Sequence, residues 1–135
     1  MSSGTAQSTL EANKALVIRW FEEVWNQGRR ETVTELFPVE GVVHDGAKTY
    51  RGPDGFYGFH DSIRAQFSNF SITPIKSLAE GDLVCLHWSA RFIQTATGKP
   101  LHVTGTSVVR VSNGQLVEVW QNWDAAELAA QVAAT

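Results

Sequence analysis

The dipeptide Asn113-Gly114 is the feature that most constrains the fold of this chain. It lies between two stretches of alternating apolar and polar residues, "LHVTGTSVVRV" and "LVEVWQNW". Asn and Gly both accept the positive φ of a type I′ turn, so this pattern predicts a tight antiparallel hairpin. A two-residue loop places Ser112 opposite Gln115, and unbroken pairing then places Ser107 opposite Trp120. We therefore predict that Ser107 and Trp120 share one face of a sheet.

Helical patterns fill the first half of the chain, and strand patterns fill the second. Residues 11–28 predict a long helix, residues 29–37 a short one, and Pro53 marks the start of a third. From Phe70 the apolar residues alternate with period two, and residues 125–133 return to a helical composition. Helices followed by an antiparallel meander indicate an α+β domain.

The strand "LVCLHWSARFI" indicates which face of the sheet is covered. Leu86, Trp88 and Phe92 alternate with polar side chains, so we expect the helices to pack on that apolar row. The expected result is a curved sheet that is closed by helices and has aromatic walls.

Bulk composition limits the classes of function. The chain has 135 residues and a net charge of −3, without a Lys/Arg cluster, which argues against a nucleic-acid partner. The polar N-terminus and the absence of a long apolar run predict neither a signal peptide nor a membrane span. A single cysteine, Cys85, fits a reducing cytoplasm. We expect a flexible segment at 1–10 and one domain at 11–135, in the cytoplasm.

The last strand carries an acid that admits two interpretations. Alternation puts Trp120, Asn122 and Asp124 on the same face as Ser107, which we take as the covered one. Asp124 is then a carboxylate in a pocket, suited to proton transfer. Because Asp is also a favoured N-cap and "AAELAAQVA" follows, Asp124 could instead cap a helix.

Several segments, taken in order, resemble a known family. They are "NKALVIRWFEEVWNQG", "VVHDG", "RGPDGF", "AEGDLVCLHWSARF" and "TGKPLHVTGTSVVRVSNGQLVEVWQNWD". They resemble the SnoaL-like polyketide cyclases, or ester cyclases, of the nuclear-transport-factor-like, cystatin-related cone superfamily. The resemblance covers residues 13–131 and implies a strongly curved antiparallel sheet wrapped around N-terminal helices, forming a cone with an internal cavity. It also implies an acid/base Asp at the end of the last strand, which matches Asp124, and a cavity His that matches His44.

The candidate site residues each have a structural alternative. Asn122 and His60 could polarise or orient a carbonyl beside Asp124 and His44, or they could make ordinary structural hydrogen bonds. Ser107 offers a small inward hydroxyl. The aromatic residues suit the wall of a pocket for a flat ligand, or the core; they are Trp20, Phe56, Phe67, Trp88, Phe92 and Trp120.

The function predicted first is a cofactor-independent acid/base enzyme of the polyketide cyclase or isomerase type, acting on a hydrophobic carbonyl compound by intramolecular aldol closure or isomerisation. The alternative is a small-molecule-binding or dimeric scaffold domain without turnover. The sequence shows no metal-ligand spacing and no nucleotide-binding loop, so we expect no metal and no cofactor. An apolar row on the other face predicts a homodimer through the sheet, and comprises Val108, Val117, Val119 and Trp123.

Overall fold

A computed structural model describes the backbone of residues 2–134 and the side chains of residues 8–134. The first helix begins at Ser2, earlier than predicted, and at Phe21 it widens into a π turn. The flexible N-terminal segment remains a prediction. The helical elements are α1 (Ser2–Trp20), the π turn (Phe21–Asn26), α2 (Arg30–Leu36), α3 (Gly52–Gln66) and α4 (Ala125–Ala133).

A six-stranded sheet follows and confirms the α+β class. Its strands are β1 (Val42–Asp45), β2 (Lys48–Arg51), β3 (Phe67–Glu80), β4 (Leu83–Gln94), β5 (Pro100–Ser112) and β6 (Gln115–Trp123), in the spatial order β2-β1-β6-β5-β4-β3. The sheet is mixed, since β1 runs parallel to β6 while the other pairs are antiparallel. The short edge strand β2 was not predicted.

The hairpin at Asn113-Gly114 forms as predicted, but its register changes one pair further on. Both turn residues have positive φ, and Ser112 pairs with Gln115. Val111 then pairs with Leu116, whereas Arg110 pairs with Glu118, so Val117 is an extra residue in β6. Such a bulge sends every later side chain of the strand to the opposite face.

The core lies between the helices and the concave face of the sheet, which we call the inner face. Val17 of α1 and Val24 of the π turn are fully buried there. From β4, Leu86, Trp88 and Phe92 are also buried, which confirms that this apolar row faces the helices. The opposite side is the outer face of the sheet.

Candidate functional site

An aromatic cleft opens between the inner face and the helices. It contains about 540 Å³ of space, counting its open mouth, of which about 70 Å³ is wide enough for the centres of water molecules. The cleft is therefore narrow. Its lining comes from the π turn, α3, α4 and all strands except β1 and β2; the residues are Phe21, Trp25, Phe59, Ile63, Phe67, Phe70, Ile72, Trp88, Ala90, Phe92, Val103, Gln121, Trp123 and Leu128.

The π turn places one wall of this cleft. Phe21 and Trp25 are both buried and both line it. Two side chains of α3 hold the turn by its carbonyl groups, since His60 Nε2 donates to Val24 O (2.9 Å) and Arg64 Nη1 donates to Trp25 O (2.7 Å). Single π turns within α-helices often occur at functional sites. Here the turn fixes the position of the Trp25 indole.

A polar group of three residues lies at the edge of the cleft. Asp45 ends β1 and pairs with Gln121 of β6, so their side chains share the inner face with buried Val43. Trp123 donates its indole N–H to Asp45 Oδ1 at 2.9 Å. Gln121 and Trp123 both line the cleft, and Asp45 is half-buried directly beyond them. We call Asp45, Gln121 and Trp123 the polar edge.

Asp124 does not lie in the cleft, so its predicted placement is wrong. Its side chain is exposed and accepts a hydrogen bond from Glu127 N at 2.9 Å, which makes it the N-cap of α4. The capping interpretation is therefore confirmed. The placement failed because the bulge at Val117 exchanges the faces of β6.

The same bulge moves the predicted partners of Asp124 to the outer face. Asn122 is exposed, and Trp120 is half-buried on that face, stacked on His44 with ring centroids 5.7 Å apart. His44 was expected to reach the cavity, but its Nε2 lies 2.6 Å from Glu118 Oε2 on the outer face. Arg110 lies over the Trp120 ring at 5.6 Å. None of these side chains lines the cleft.

His60 is buried, but it lies behind the cleft wall. Its ring contacts Trp25 edge-on at 4.8 Å and stacks on Phe56. Burial lowers the pKa of His60 below its ordinary value, partly opposed by the hydrogen bond to Val24 O. Because a carbonyl only accepts, Nε2 carries the proton, and Nδ1 has no hydrogen-bond partner among the described residues. His60 supports Trp25 and does not face the cleft.

The remaining predicted pocket residues divide into two groups. Phe67, Trp88 and Phe92 line the cleft, so their inward placement is confirmed, while contact with a ligand remains a prediction. Trp20 and Phe56 are buried against each other, with centroids 5.0 Å apart, and belong to the core outside the cleft.

Ser107 lies on the inner face as predicted and is fully buried. It accepts a hydrogen bond from Trp88 Nε1 at 3.1 Å, so its role here is to hold the indole.

Sequence reasoning missed the polar edge. Asp45 lies one residue from His44, and choosing between them required knowing which of Val42 and Val43 points inward. Val43 is buried, so its side chain points to the inner face, and alternation along β1 then puts Asp45 on the same face. For β6, the adjacent apolar pair Leu116-Val117 was the available signal of a bulge, because strict alternation breaks there.

Two features were searched for in the described part of the chain, a cluster of metal-ligating side chains and a helix able to span a membrane. Among the described side chains, no group of three or more His, Cys, Asp or Glu is arranged to hold a metal ion. No helix within residues 2–134 is long and apolar enough to cross a membrane.

Comparison with known families identifies one match. The profile of the SnoaL-like domain matches residues 17–119, which is well over half of the chain and spans α1 to β6. No curated protein sequence is detectably similar.

Solved structures share the fold along nearly the whole chain. A candidate SnoaL-like polyketide cyclase from Jannaschia sp. CCS1 superposes with a TM-score of 0.85 at 18% identity, covering 93% of this chain and 94% of its own. IdmH, a candidate polyketide cyclase from Streptomyces antibioticus, gives 0.76 at 27% identity, covering 87% and 96%. A protein from Catenulispora acidiphila with a ketosteroid isomerase-like fold, solved with trimethylamine, gives 0.78 at 19% identity, covering 86% and 90%.

Proposed function

Because the chain belongs to the SnoaL-like domain family, we propose that it is a cofactor-independent acid/base enzyme acting on a flat, hydrophobic carbonyl compound. The observation that carries this proposal is the carboxylate of Asp45, held by an indole at the edge of an aromatic cleft. The likeness to IdmH, a candidate polyketide cyclase, supports a ring closure, for which we propose an intramolecular aldol reaction. An isomerisation is the alternative that the same proton transfer would allow.

Asp45 is the proton-transfer group in this proposal. One oxygen accepts the Trp123 indole N–H, which leaves the other oxygen to take a proton from the carbon next to the substrate carbonyl. The C–H electron pair then forms the enolate. In a closure, the enolate carbon attacks a second carbonyl of the same molecule, and the proton on Asp45 passes to the new alkoxide. In an isomerisation, Asp45 returns the proton at another carbon.

The other groups orient the substrate and exclude water. The Gln121 amide lines the cleft beside Asp45 and can donate a hydrogen bond to the carbonyl oxygen, on which negative charge develops. The walls are otherwise built from apolar and aromatic side chains, which bury a flat ring system and strengthen polar interactions at its carbonyl end. The narrowness of the cleft favours planar over globular substrates.

The proposal is tested by proton exchange next to a carbonyl, which needs no knowledge of the natural substrate. β-Tetralone, a bicyclic ketone, is incubated with the protein in D₂O, and loss of its α-proton signal is followed by NMR. We expect the protein to accelerate exchange, and Asp45→Asn to reduce that acceleration by roughly two to four orders of magnitude. Asp124→Asn, at an exposed carboxylate outside the cleft, is the matched control and keeps the rate. Full exchange activity in Asp45→Asn would refute the assignment.

A binding domain without turnover is the second candidate. Apart from Gln121, the side chains that line the cleft are apolar or aromatic, which is sufficient for retention of a ligand without chemistry. Saturable binding of β-tetralone with no acceleration of exchange would favour this function. The cytoplasmic location also remains a prediction in either case.

A further inference from the structure

Three residues on neighbouring strands form a row across the inner face. Gly105 of β5 pairs with Trp88 of β4 on one side and with Trp123 of β6 on the other. Both tryptophans line the cleft. The residue between these two large indoles has no side chain, although glycine is unfavourable within a strand because it has no side chain to pack.

The Trp88 indole occupies the space that a side chain at position 105 would need. A Cβ on Gly105 would lie 2.6 Å from Trp88 Cη2, closer still to Cζ2, and 2.7 Å from the carbonyl oxygen of Asn122. The indole therefore rests directly on the β5 backbone. Its Nε1–H is donated to Ser107 Oγ at 3.1 Å, which fixes the orientation of the ring on this glycine.

We propose that Gly105 determines the depth of the cleft, and hence its specificity for flat ligands, by seating Trp88 against the sheet. A side chain at this position would push the indole away from β5. Phe21 of the π turn also lines the cleft and packs against the Trp88 ring, with centroids 6.3 Å apart, so a ring displaced from β5 would narrow the space between the sheet and the π turn. This inference rests on the proposed function to the extent that the cleft takes a ligand.

Binding of prodan measures the available depth. Prodan is a flat naphthyl ketone whose fluorescence shifts to shorter wavelength in apolar surroundings. We expect Gly105→Ala to weaken its binding by about tenfold, because the ligand can enter only if the displaced indole returns to the crowded position against β5, at the cost typical of overpacking. Gly58→Ala is the matched control, because a Cβ there meets nothing within 4 Å and Gly58 lies in the middle of α3. The control is expected to bind prodan like the wild type.

A second substitution separates the effect on Trp88 from the effect on the backbone. Trp88→Phe removes the indole atoms that a Cβ at position 105 would meet, whereas the contact with Asn122 O is unchanged. In the Trp88→Phe background, we therefore expect Gly105→Ala to change prodan affinity by no more than about twofold, the range expected of independent sites. Equal losses in both backgrounds would overturn the proposal.

The proposal can still be tested if a variant does not fold or if the wild type does not bind prodan. If Gly105→Ala does not fold but Gly105→Ala with Trp88→Phe does, the contact with Trp88 is what excludes a side chain at position 105, which supports the proposal. If neither variant folds, the contact with the backbone excludes it, which overturns the proposal. If the wild type binds no prodan, the proposed function loses support, and a crystal structure of Gly105→Ala decides the inference separately. A Trp88 ring displaced into the cleft supports it, and an unmoved ring overturns it.

Discussion

Asp45 ends β1, and Asp124 follows β6, the neighbouring strand, but the surroundings of the two carboxylates differ. Asp45 shares the inner face with Gln121 and accepts the indole N–H of a cleft residue. Asp124 is exposed, and its side chain satisfies a free N–H of the first turn of α4. A carboxylate can transfer a proton only where a substrate can reach it. We therefore propose the proton transfer for Asp45, at the edge of the cleft, whereas the hydrogen bond from Glu127 N gives Asp124 a structural role.

Replacement of Asp124 tests the capping role. We expect Asp124→Ala to lower the free energy of unfolding by about 1 kcal/mol, because the Glu127 N–H loses its acceptor. Asp124→Asn should be nearly neutral, since Asn caps about as well as Asp. Urea denaturation of the two variants beside the wild type measures both effects. If Asp124→Asn lost as much unfolding free energy as Asp124→Ala, the charge of Asp124, and not its capping geometry, would be what stabilises the protein.

At the scale of elements, the sequence was sufficient to predict every helix and the strands β1, β3, β4, β5 and β6, because their periodicity and turn signals are strong. The edge strand β2 was missed, since its four residues, Lys48–Arg51, carry too little alternation. The larger error came from a single bulge. Hydrophobic alternation specifies faces only while pairing is regular, and one inserted residue, Val117, reversed the orientation of Trp120 to Trp123.

We expect the contact between α3 and the π turn to make the stability of the protein depend on pH. Burial lowers the pKa of His60 in the folded protein, and its ordinary value is 6.5. Above that pH the imidazole is neutral in both the folded and the unfolded chain. As the pH falls below it, the unfolded chain takes up a proton that the folded chain does not. The free energy of unfolding therefore decreases as the pH falls, and His60 contributes to this pH dependence the binding of at most one proton.

Urea denaturation at pH 7.5 and pH 5.5 measures this slope. His60→Gln keeps a side-chain donor for Val24 O without a titrating group, so we expect a smaller loss of stability at acid pH in this variant than in the wild type. The charges of Arg64, Asp61 and Arg30 also act on His60. They are present in both proteins, so they do not account for a difference between them. An identical pH dependence in the two would show that His60 does not contribute it.

At the scale of the whole molecule, the sheet covered by helices followed from the pattern of the sequence, and the cone with a cavity followed from the family resemblance. The position of the polar edge followed from neither. Its three members come from β1 and β6, which are far apart in the chain and pair in parallel. Local periodicity carries no information about such a pairing. The location of the site therefore depended on the tertiary structure, while the aromatic character of Trp88 and Phe92 was evident beforehand.

The homodimer through the outer face remains a prediction, although its residues change. Val119 is buried and Trp123 lines the cleft, so neither is available. A different row crosses the outer face, in which Leu78, Cys85, Val108 and Trp120 pair in succession. We expect sedimentation velocity at micromolar concentration to show a dimer, which Trp120→Glu converts to a monomer. Val39→Glu, at an exposed position after α2, is the control. A monomeric wild type would contradict the prediction.

The most direct measurement of the central claim is a crystal structure of the protein with β-tetralone bound. We predict that the two rings lie between Trp88 and the π turn, with the carbonyl and its neighbouring carbon at the polar edge, within hydrogen-bonding distance of Gln121 and of the free oxygen of Asp45. A ketone bound on the outer face, beside His44 and Trp120, or one in the cleft with its carbonyl directed away from Asp45, would contradict the account.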